Sequence, residues 1–363
     1  MSERVLFIGF KRQKEALNGG EMANRRCLQT LRKRFGDDAV NTYYILDEDE
    51  HRGAIDKLRA IFYFFCDIHN GLTPKKIKEI TEKATGYDYV FISTSVLGIL
   101  AKKLKESGFK GTTIVHFHNV EEIYYDALIP KWVPGRSVVV RCAAHNDEYA
   151  CKYADKIITL SQRDSNYLAK HYCRHADAII GITLQDRLSA VPDTTTLTSS
   201  VPKCLFLGSY FTANNEGILW FVNNVLPHVH VELKIIGKDM HKLKEANKCL
   251  SNIEVLSNVP DLTPYLTEAD FMILPIFAGS GMKVKTCESL MYGKNILGTD
   301  ETFEGYDLDA DKAGKRCNTT EEYIAAINAF AAHPVPRFNT YSRQIFLEKY
   351  SSNATEQQFL SVF

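Results

Sequence analysis

The fold of this chain is indicated most clearly by the stretch DFMILPIFAGSGMKVKTCESLMYGKNILGT, from Asp270 to Thr299. Two short apolar runs in it, FMILPI and NILGT, have the length of buried strands. Between them, Val284, Cys287 and Met291 recur at helical spacing, which predicts a helix with one buried face. Gly293 follows as a left-handed helix stop. The stretch therefore predicts a strand–helix–strand unit of a parallel sheet.

The same alternation continues through the rest of the chain. Strand-like runs occur at RVLFIGF, TYYIL, YVFIS, TIVHFH and KIITL in the first half, and at KCLFLGS, ELKIIG and IEVL in the second. A connection rich in Ser, Thr and Pro, from Leu188 to Lys203, separates the two halves. We therefore predict an α/β protein with two doubly wound, Rossmann-like parallel-sheet domains facing a central cleft. The domains are predicted at residues 1–198 and 199–342, with a C-terminal helix at about 343–363 packed back on the first.

Composition excludes several classes of protein. The chain has 363 residues, 45% of them hydrophobic and 24% charged, and its formal net charge is zero, which does not indicate a nucleic-acid partner. Nine cysteines without a CxxC pair favour a reducing cytoplasm over a disulfide framework or a zinc site. The start MSERVLFIGF lacks the apolar region of a signal peptide, and no window approaches the ~20 apolar residues of a membrane helix. We expect a cytoplasmic protein that can meet its substrate at the inner face of the membrane.

The turn after FMILPI has the residues of a nucleotide site. Gly279, Ser280 and Gly281 allow close approach of a ligand to the backbone, and the following helix start attracts anions. Lys283 and Lys285 add positive charge, and Glu288 one turn further on can accept hydrogen bonds from a sugar diol. Phosphate and ribose together describe a nucleotide. A plain structural turn with an ordinary Lys285–Glu288 surface pair is the alternative interpretation. Val284 breaks the dinucleotide fingerprint, and the spacing does not fit a Walker loop.

The first half offers a weaker set of polar residues at strand ends. Gly19 and Gly20 follow the first strand and could admit a diphosphate or serve as a simple turn. His116 and His118 lie at the end of TIVHFH and could face a cleft or be satisfied structural residues. We expect no metal site, since the HxH pair lacks a third ligand. The acidic strings Asp47-Glu48-Asp49 and Asp309-Ala310-Asp311 are interpreted as solvated loops. The aromatic stretch IFYFFCDIHNG, from Ile61 to Gly71, could be core or an apolar acceptor or membrane contact.

Taken together, these strings resemble a GT-B glycosyltransferase of the retaining family 4, in a variant with a GSG loop. The resemblance is strongest from about Pro202 to Gly305, over FLGSYFTANNEGILWFVNNVLP, LKIIG, NVPDLTPYLTEADFMILPIFAGSGMKVKTCESLMYGKNILGT and FEGYD. It is thinner in the first domain, at the two glycines, HNVEE and DKIITLSQRD.

The resemblance implies transfer of a sugar from a nucleotide-diphosphate donor without a cofactor or metal. It assigns the first domain to the acceptor and the second to the donor. Glu288 matches the second acid of the family's E-x7-E motif, which holds the ribose, and His118 matches its catalytic histidine near the reacting carbon. The other implied donor contacts are Gly19, Gly20, Gly279, Ser280, Gly281, Met282, Lys283, Lys285, Val259 and Leu262. The implied acceptor is a glycan or a lipid- or protein-linked saccharide, in bacterial surface polysaccharide or glycoconjugate assembly.

Two departures from the family pattern affect this interpretation. Ser280 stands where the motif's first acid belongs, and it cannot make a carboxylate contact. Ser209 and the Asn214–Asn215 region stand where the family often carries an Arg and a Lys, so the cations for the diphosphate would be Lys283, Lys285 or both. Two alternatives follow: a sugar-nucleotide epimerase of similar fold, and a non-catalytic GT-B partner subunit of another transferase.

Overall fold

The structure is a computed structural model that describes residues 3–11, 19–46, 62–69, 71–279 and 281–363. The chain divides into two compact units, residues 1–181 with 355–363 and residues 182–354. The transition at residues 181–182 comes before the expected boundary near residue 198. The reason is that Leu184 already exchanges backbone hydrogen bonds with the second unit, donating its N–H to the Tyr350 carbonyl at 3.0 Å.

The first unit is built on a six-stranded parallel sheet with the order β2-β1-β3-β4-β5-β6. Its strands are β1 (Val5–Lys11), β2 (Val40–Leu46), β3 (Tyr89–Ile92), β4 (Thr112–Phe117), β5 (Lys156–Thr159) and β6 (Ala178–Ile179). Its helices are α1 (Gly19–Phe35), α2 (Pro74–Ala84), α3 (Ile99–Glu106), α4 (Glu121–Leu128), α5 (Arg136–Tyr153) and α6 (Gln162–Tyr172). The inner strands are apolar on both faces because helices cover both sides of a parallel sheet.

The second unit repeats this plan with the strand order β12-β11-β10-β7-β8-β9, again all parallel. Its strands are β7 (Lys203–Leu207), β8 (Glu232–Gly237), β9 (Glu254–Ser257), β10 (Phe271–Leu274), β11 (Asn295–Gly298) and β12 (Gly314–Arg316). Its helices are α7 (Thr212–Asn224), α8 (His241–Ala246), α9 (Thr263–Glu268), α10 (Val284–Met291), α11 (Asp300–Phe303), α12 (Ala310–Ala313), α13 (Thr320–Ala332) and α14 (Thr340–Ile345). The predicted fold class of two parallel-sheet α/β domains is confirmed.

The C-terminal part of the chain serves both units in turn. Arg343 pairs with Asp186 inside the second unit at 2.5 Å. The last helix, α15 (Ser352–Leu360), then carries the chain to the first unit, where Phe359 and Phe91 have ring centroids 5.7 Å apart. The Tyr89 hydroxyl donates to the carbonyl of Phe363 at 2.7 Å. Within the expected segment 343–363, only residues 355–363 belong to the first unit.

Candidate donor and catalytic sites

Each sheet has one place where the direction of chain progression reverses. In the first sheet this switch point lies between β1 and β3, and in the second it lies between β7 and β10. Loops that leave the carboxyl ends of such a strand pair diverge to opposite faces and leave a crevice, where doubly wound proteins bind their ligands. The loop after β10 contains the predicted glycines and lysines, so sheet topology places it at the switch point of the second unit.

The backbone of this loop needs glycine at two described positions. Gly279 has φ 153° and Gly281 has φ 65°, which are values that L side chains rarely adopt. A Cβ on Gly279 would lie 3.2 Å from Cε of Lys283. Ser280, the residue that replaces the family's first acid, lies outside the described residues. Glycine at positions 279 and 281 therefore allows the tight backbone turn that leads into α10.

Buried hydroxyl groups donate hydrogen bonds to backbone carbonyls on both sides of the loop. Thr302 donates its hydroxyl to the Leu274 carbonyl at 2.6 Å, and Thr299 donates to the carbonyl of Ile276. Tyr306 donates to the carbonyl of Lys283 at 2.7 Å. Met282 is buried, and its sulfur accepts the Ile182 N–H at 3.4 Å. No side chain of a described residue caps α10, so its first N–H groups remain available to an anion.

The two lysines of the loop have different surroundings. Lys283 Nζ donates to Glu301 Oε1 at 2.6 Å and to the Gly281 carbonyl at 2.7 Å, so a carboxylate already balances its charge. Lys285 Nζ donates to the amide oxygen of Asn214 at 2.5 Å, and no carboxylate of the described chain forms an ion pair with it. Burial, reinforced by the charge of Lys283, lowers the pKa of Lys285 to about 7.

Glu288 lies one turn along α10 with a side chain that is 14% exposed, and burial raises its pKa. Its Oε1 accepts from Arg187 Nη2 at 3.0 Å, and this contact opposes the effect of burial. The carboxylate can therefore accept hydrogen bonds from ribose hydroxyls, although one of its oxygens already accepts from Arg187. Arg187 comes from the irregular segment after β6, where no periodicity marks it in the sequence.

The loop expected to line the base is anchored to the same helix. Val259 and Leu262 are half-buried between β9 and α9. The Thr263 and Tyr292 hydroxyls are 2.8 Å apart, which ties the start of α9 to the residue that ends α10. A hydrogen bond from the Thr263 N–H, helped by the charge of Arg187, lowers the pKa of Asp261. The second unit thus brings the predicted loop, acid and base-lining segment together.

In the first unit, the glycines follow β1 and the histidine follows β4, with β3 between these two strands in the sheet. Gly19 and Gly20 are the first residues of α1 after β1. His118 follows β4, its ring lies 4.6 Å from that of His116 at an interplanar angle of 89°, and its Nε2 is buried without a hydrogen-bond partner in the described chain. Burial, with help from the Arg26 charge, lowers the pKa of His118 to about 4. This histidine is neutral near pH 7, so it can accept or donate one hydrogen bond but carries no charge.

A buried acid cluster lies at the start of α4, which begins three residues after His118 in the chain. Asp147 on α5 is fully buried, and its Oδ2 accepts the Glu122 N–H at 3.0 Å. Glu121, also buried, accepts from the Thr94 hydroxyl at 3.3 Å. Burial raises the pKa of Glu121 to about 8 and that of Asp147 to about 7. Asp147 therefore fixes the start of α4, two residues beyond Asn119, and nothing in its local sequence marks this role.

The remaining candidates from the sequence are the two acidic strings and the aromatic stretch. Asp309 caps α12 by accepting the Asp311 N–H at 3.0 Å, so it has the role of a helix cap. The string Asp47-Glu48-Asp49 lies outside the described residues. In the aromatic stretch, Phe62 and Phe65 are 63% and 56% exposed, so these two rings are not core. Over the residues that the structure describes, no group of three potential metal ligands is found.

Part of the second unit matches a known protein family. Residues 201–332 match the family described as "Glycosyl transferases group 1". No curated protein resembles the chain significantly in sequence.

Solved structures share the fold over the whole chain. Anabaena Alr3699/HepE in complex with UDP is similar at 14% identity and TM-score 0.68, over 99% of this chain and 98% of that one. Sucrose-phosphate synthase from Thermosynechococcus elongatus is similar at 13% identity and TM-score 0.73, with the same coverage. WaaG, a glycosyltransferase involved in lipopolysaccharide biosynthesis, is similar at 15% identity and TM-score 0.65, over 99% and 97% of the two chains.

The family match lies on the unit that holds the glycine loop, Lys285 and Glu288, and the fold is shared from end to end. Within the described part of the chain, no helix has both the length and the hydropathy to cross a bilayer. The chain therefore has the fold of the GT-B glycosyltransferases, and its second unit carries a group 1 glycosyltransferase domain.

Proposed function

We propose that this protein is a retaining glycosyltransferase of family 4, in the GSG-loop variant, that moves a sugar from a nucleotide-diphosphate donor to a glycan or lipid-linked acceptor. One observation carries the proposal: the uncapped start of α10, Lys285 and Glu288 meet at the switch point of the second sheet. An anion site and a ribose acceptor one helical turn apart fit a nucleoside diphosphate. UDP is the first nucleotide to test, because HepE was solved with UDP and with UDP-glucose.

The donor's groups are assigned to residues by chemistry. The diphosphate takes the N–H groups of the Gly279–Lys285 loop and helix start, together with Lys285. The ribose diol takes the free oxygen of Glu288, and the base takes the segment from Val259 to Leu262. Gly19 and Gly20, at the start of α1, are proposed as further diphosphate contacts.

The transfer step follows from these assignments. The bond between the anomeric carbon and the diphosphate breaks, and the N–H groups and Lys285 stabilise the charge that develops on the leaving oxygen. The acceptor hydroxyl attacks from the side on which the diphosphate leaves, and a diphosphate oxygen takes its proton. The configuration is thereby retained. His118, neutral at pH 7, hydrogen-bonds the sugar near the reacting carbon. The scheme uses no metal.

The acceptor proposal is a saccharide of the bacterial surface. WaaG acts in lipopolysaccharide biosynthesis, and lipopolysaccharide acceptors lie at a membrane. The first unit carries exposed aromatic rings that suit such a surface: Trp132 is 82% exposed, and Arg141 lies 5.8 Å from the ring of exposed Phe65. We propose a cytoplasmic protein with peripheral contact to the inner face of the membrane. Co-sedimentation with phosphatidylglycerol vesicles that falls in a Trp132→Ser, Phe65→Ser variant supports this contact, and undiminished binding contradicts it.

The function is tested with purified full-length chain and UDP-, GDP-, dTDP- and ADP-glucose. Binding raises the melting temperature by mass action, and the donor that stabilises most is then incubated with lipid-linked saccharide extracts. A new α-linked product from an α-linked donor supports a retaining transferase. Conversion of the donor into a different nucleotide sugar, without any acceptor, indicates the epimerase instead. Binding without any turnover indicates a non-catalytic partner subunit.

A further inference from the structure

The first turn of α7, which follows β7, contains a neutral amide where the family often carries basic residues. Asn214 Nδ2 donates to the Ser209 carbonyl at 2.9 Å. This bond fixes the orientation of the amide, because only the nitrogen can donate to a carbonyl. The amide oxygen of Asn214 therefore faces Lys285 Nζ, which donates to it at 2.5 Å. At this switch point α10 supplies the cation, Lys285, and the first turn of α7 supplies Asn214, which accepts a hydrogen bond from it.

The surroundings of Lys285 are poor in compensating charge. Its Nζ lies 4.9 Å from the centroid of the Phe206 ring on β7. The charged groups that face it are Lys283, which repels it, and Glu288, which attracts it. Lys283 is paired with Glu301 at 2.6 Å and Glu288 with Arg187 at 3.0 Å, so both neighbours already have partners. On the β7–α7 side the described contacts are the Asn214 amide and the Phe206 ring, and neither has a net charge.

We propose that Asn214 and Lys285 form a proton-coupled anion site, in which Lys285 takes up one proton from solvent as the donor's diphosphate binds. The inference rests on the proposed function, because the anion is the diphosphate of a nucleotide sugar. In the free protein the amine is neutral in a large fraction of molecules at pH 8 and donates one N–H to Asn214. In the complex it is an ammonium that donates to the diphosphate as well. Asn214 is the positioning residue of this site.

The size of the effect follows from charge proximity. An opposite charge within ~4–6 Å shifts a pKa by about one to three units toward the charged form. With a free pKa of about 7, the complex at pH 8 takes up about 0.4 to 0.9 proton per ligand, and at pH 6 it takes up almost none. Donor affinity is then about five- to tenfold weaker at pH 8 than at pH 6.

Calorimetry of UDP-glucose binding in buffers of different ionisation enthalpy measures the proton uptake directly. UDP-glucose suits the measurement because its two phosphates stay ionised over this pH range. The expected result is uptake at pH 8 that disappears in Lys285→Arg, which keeps the positive charge at every pH. Lys283→Met removes the charge that repels the Lys285 ammonium, so its uptake at pH 8 should be smaller than that of wild type. Asn214→Asp should abolish uptake too, because its carboxylate stabilises the ammonium form, so that Lys285 has already taken a proton from solvent before the ligand arrives.

The outcomes separate this inference from the proposed function. Binding of UDP-glucose to wild type with no proton uptake at pH 8 overturns the inference alone. The same holds if Lys285→Arg keeps the full uptake. If none of UDP-, GDP-, dTDP- and ADP-glucose binds, both the proposed function and this inference are overturned. A pH series of Lys285 labelling by an amine-reactive reagent, read by mass spectrometry, must also show half-maximal reactivity near pH 7 in the free protein.

Discussion

Replacing Glu288 should remove the preference of the donor site for a ribose over a deoxyribose. The carboxylate is largely buried on α10, and one oxygen already accepts from Arg187 at 3.0 Å. The other oxygen is assigned to the ribose diol. Glu288→Ala removes this acceptor, whereas Glu288→Gln keeps its shape and loses its charge.

The magnitude follows from the type of bond that is lost. A hydrogen bond to a charged group contributes about 1.5–3 kcal/mol, which corresponds to about ten- to 150-fold in affinity. A neutral acceptor retains about 0.5–1.5 kcal/mol, so the Gln variant should lose roughly half of this in free energy. Arg187 is 49% exposed on its side chain, and its pair with Glu288 contributes at most about 1 kcal/mol. Arg187→Ala should therefore leave affinity unchanged or raise it by up to about fivefold.

The assay compares the nucleoside diphosphate that binds best with its 2′-deoxy analogue by titration calorimetry. Wild type should favour the ribose form, and Glu288→Ala should bind both forms equally. This cycle isolates the ribose contact from any general loss of affinity. The assignment of Glu288 is refuted if the Ala variant keeps the wild-type preference for ribose.

Three further outcomes follow from the structure. His118→Ala should lower kcat by about tenfold or more while leaving donor Kd within about twofold, measured by product formation and calorimetry; an unchanged kcat contradicts its role. Asp270 is fully buried and accepts from Arg337 Nε at 2.8 Å and from the Lys203 N–H at 2.8 Å, so Asp270→Ala should cost about 3–5 kcal/mol in urea unfolding, and a loss below about 1 kcal/mol would be inconsistent with this. The pKa of Glu121 is raised to about 8 in the folded chain, so the folded state binds more protons than the unfolded state above about pH 4.5 and stability falls as pH rises toward 8. Glu121→Gln should lose less stability than wild type between pH 5 and pH 8, and an equal loss in both would show that this acid does not titrate as described.

The sequence predicted the parts of the fold that rest on local patterns. Helix α10 ends at Met291, and Gly293 adopts φ 59°, as its position after the apolar periodicity predicts. Ser161 caps α6 by accepting the Asp164 N–H at 3.1 Å, which is a common role of a serine directly before a helix. The strands β6 and β12 were not predicted. They have two and three residues, and their pairing depends on a neighbouring strand rather than on a pattern of their own.

In the candidate site, too, local sequence patterns were predicted and tertiary contacts were not. Glycines followed by a helix and an acid are a local pattern, so the loop and Glu288 could be selected from the sequence. The partners of these residues depend on tertiary contacts. Arg187 is 101 positions from Glu288, and Asn214 is 71 positions from Lys285. Neither residue lies in a periodic segment that would indicate its neighbour. The sequence therefore left the choice between Lys283 and Lys285 open, and the pairing of Lys283 with Glu301 favours Lys285 as the available cation.

Residues 355–363 affect the order in which the protein can fold during synthesis. Phe359 and Val362 are buried in the same apolar cluster as Val5 and Leu31, on one face of the first sheet. That cluster cannot be completed until residues 355–363 have left the ribosome. Domains generally fold in order of synthesis from the N-terminus. Here the N-terminal unit finishes its core last, after every residue of the second unit has been made.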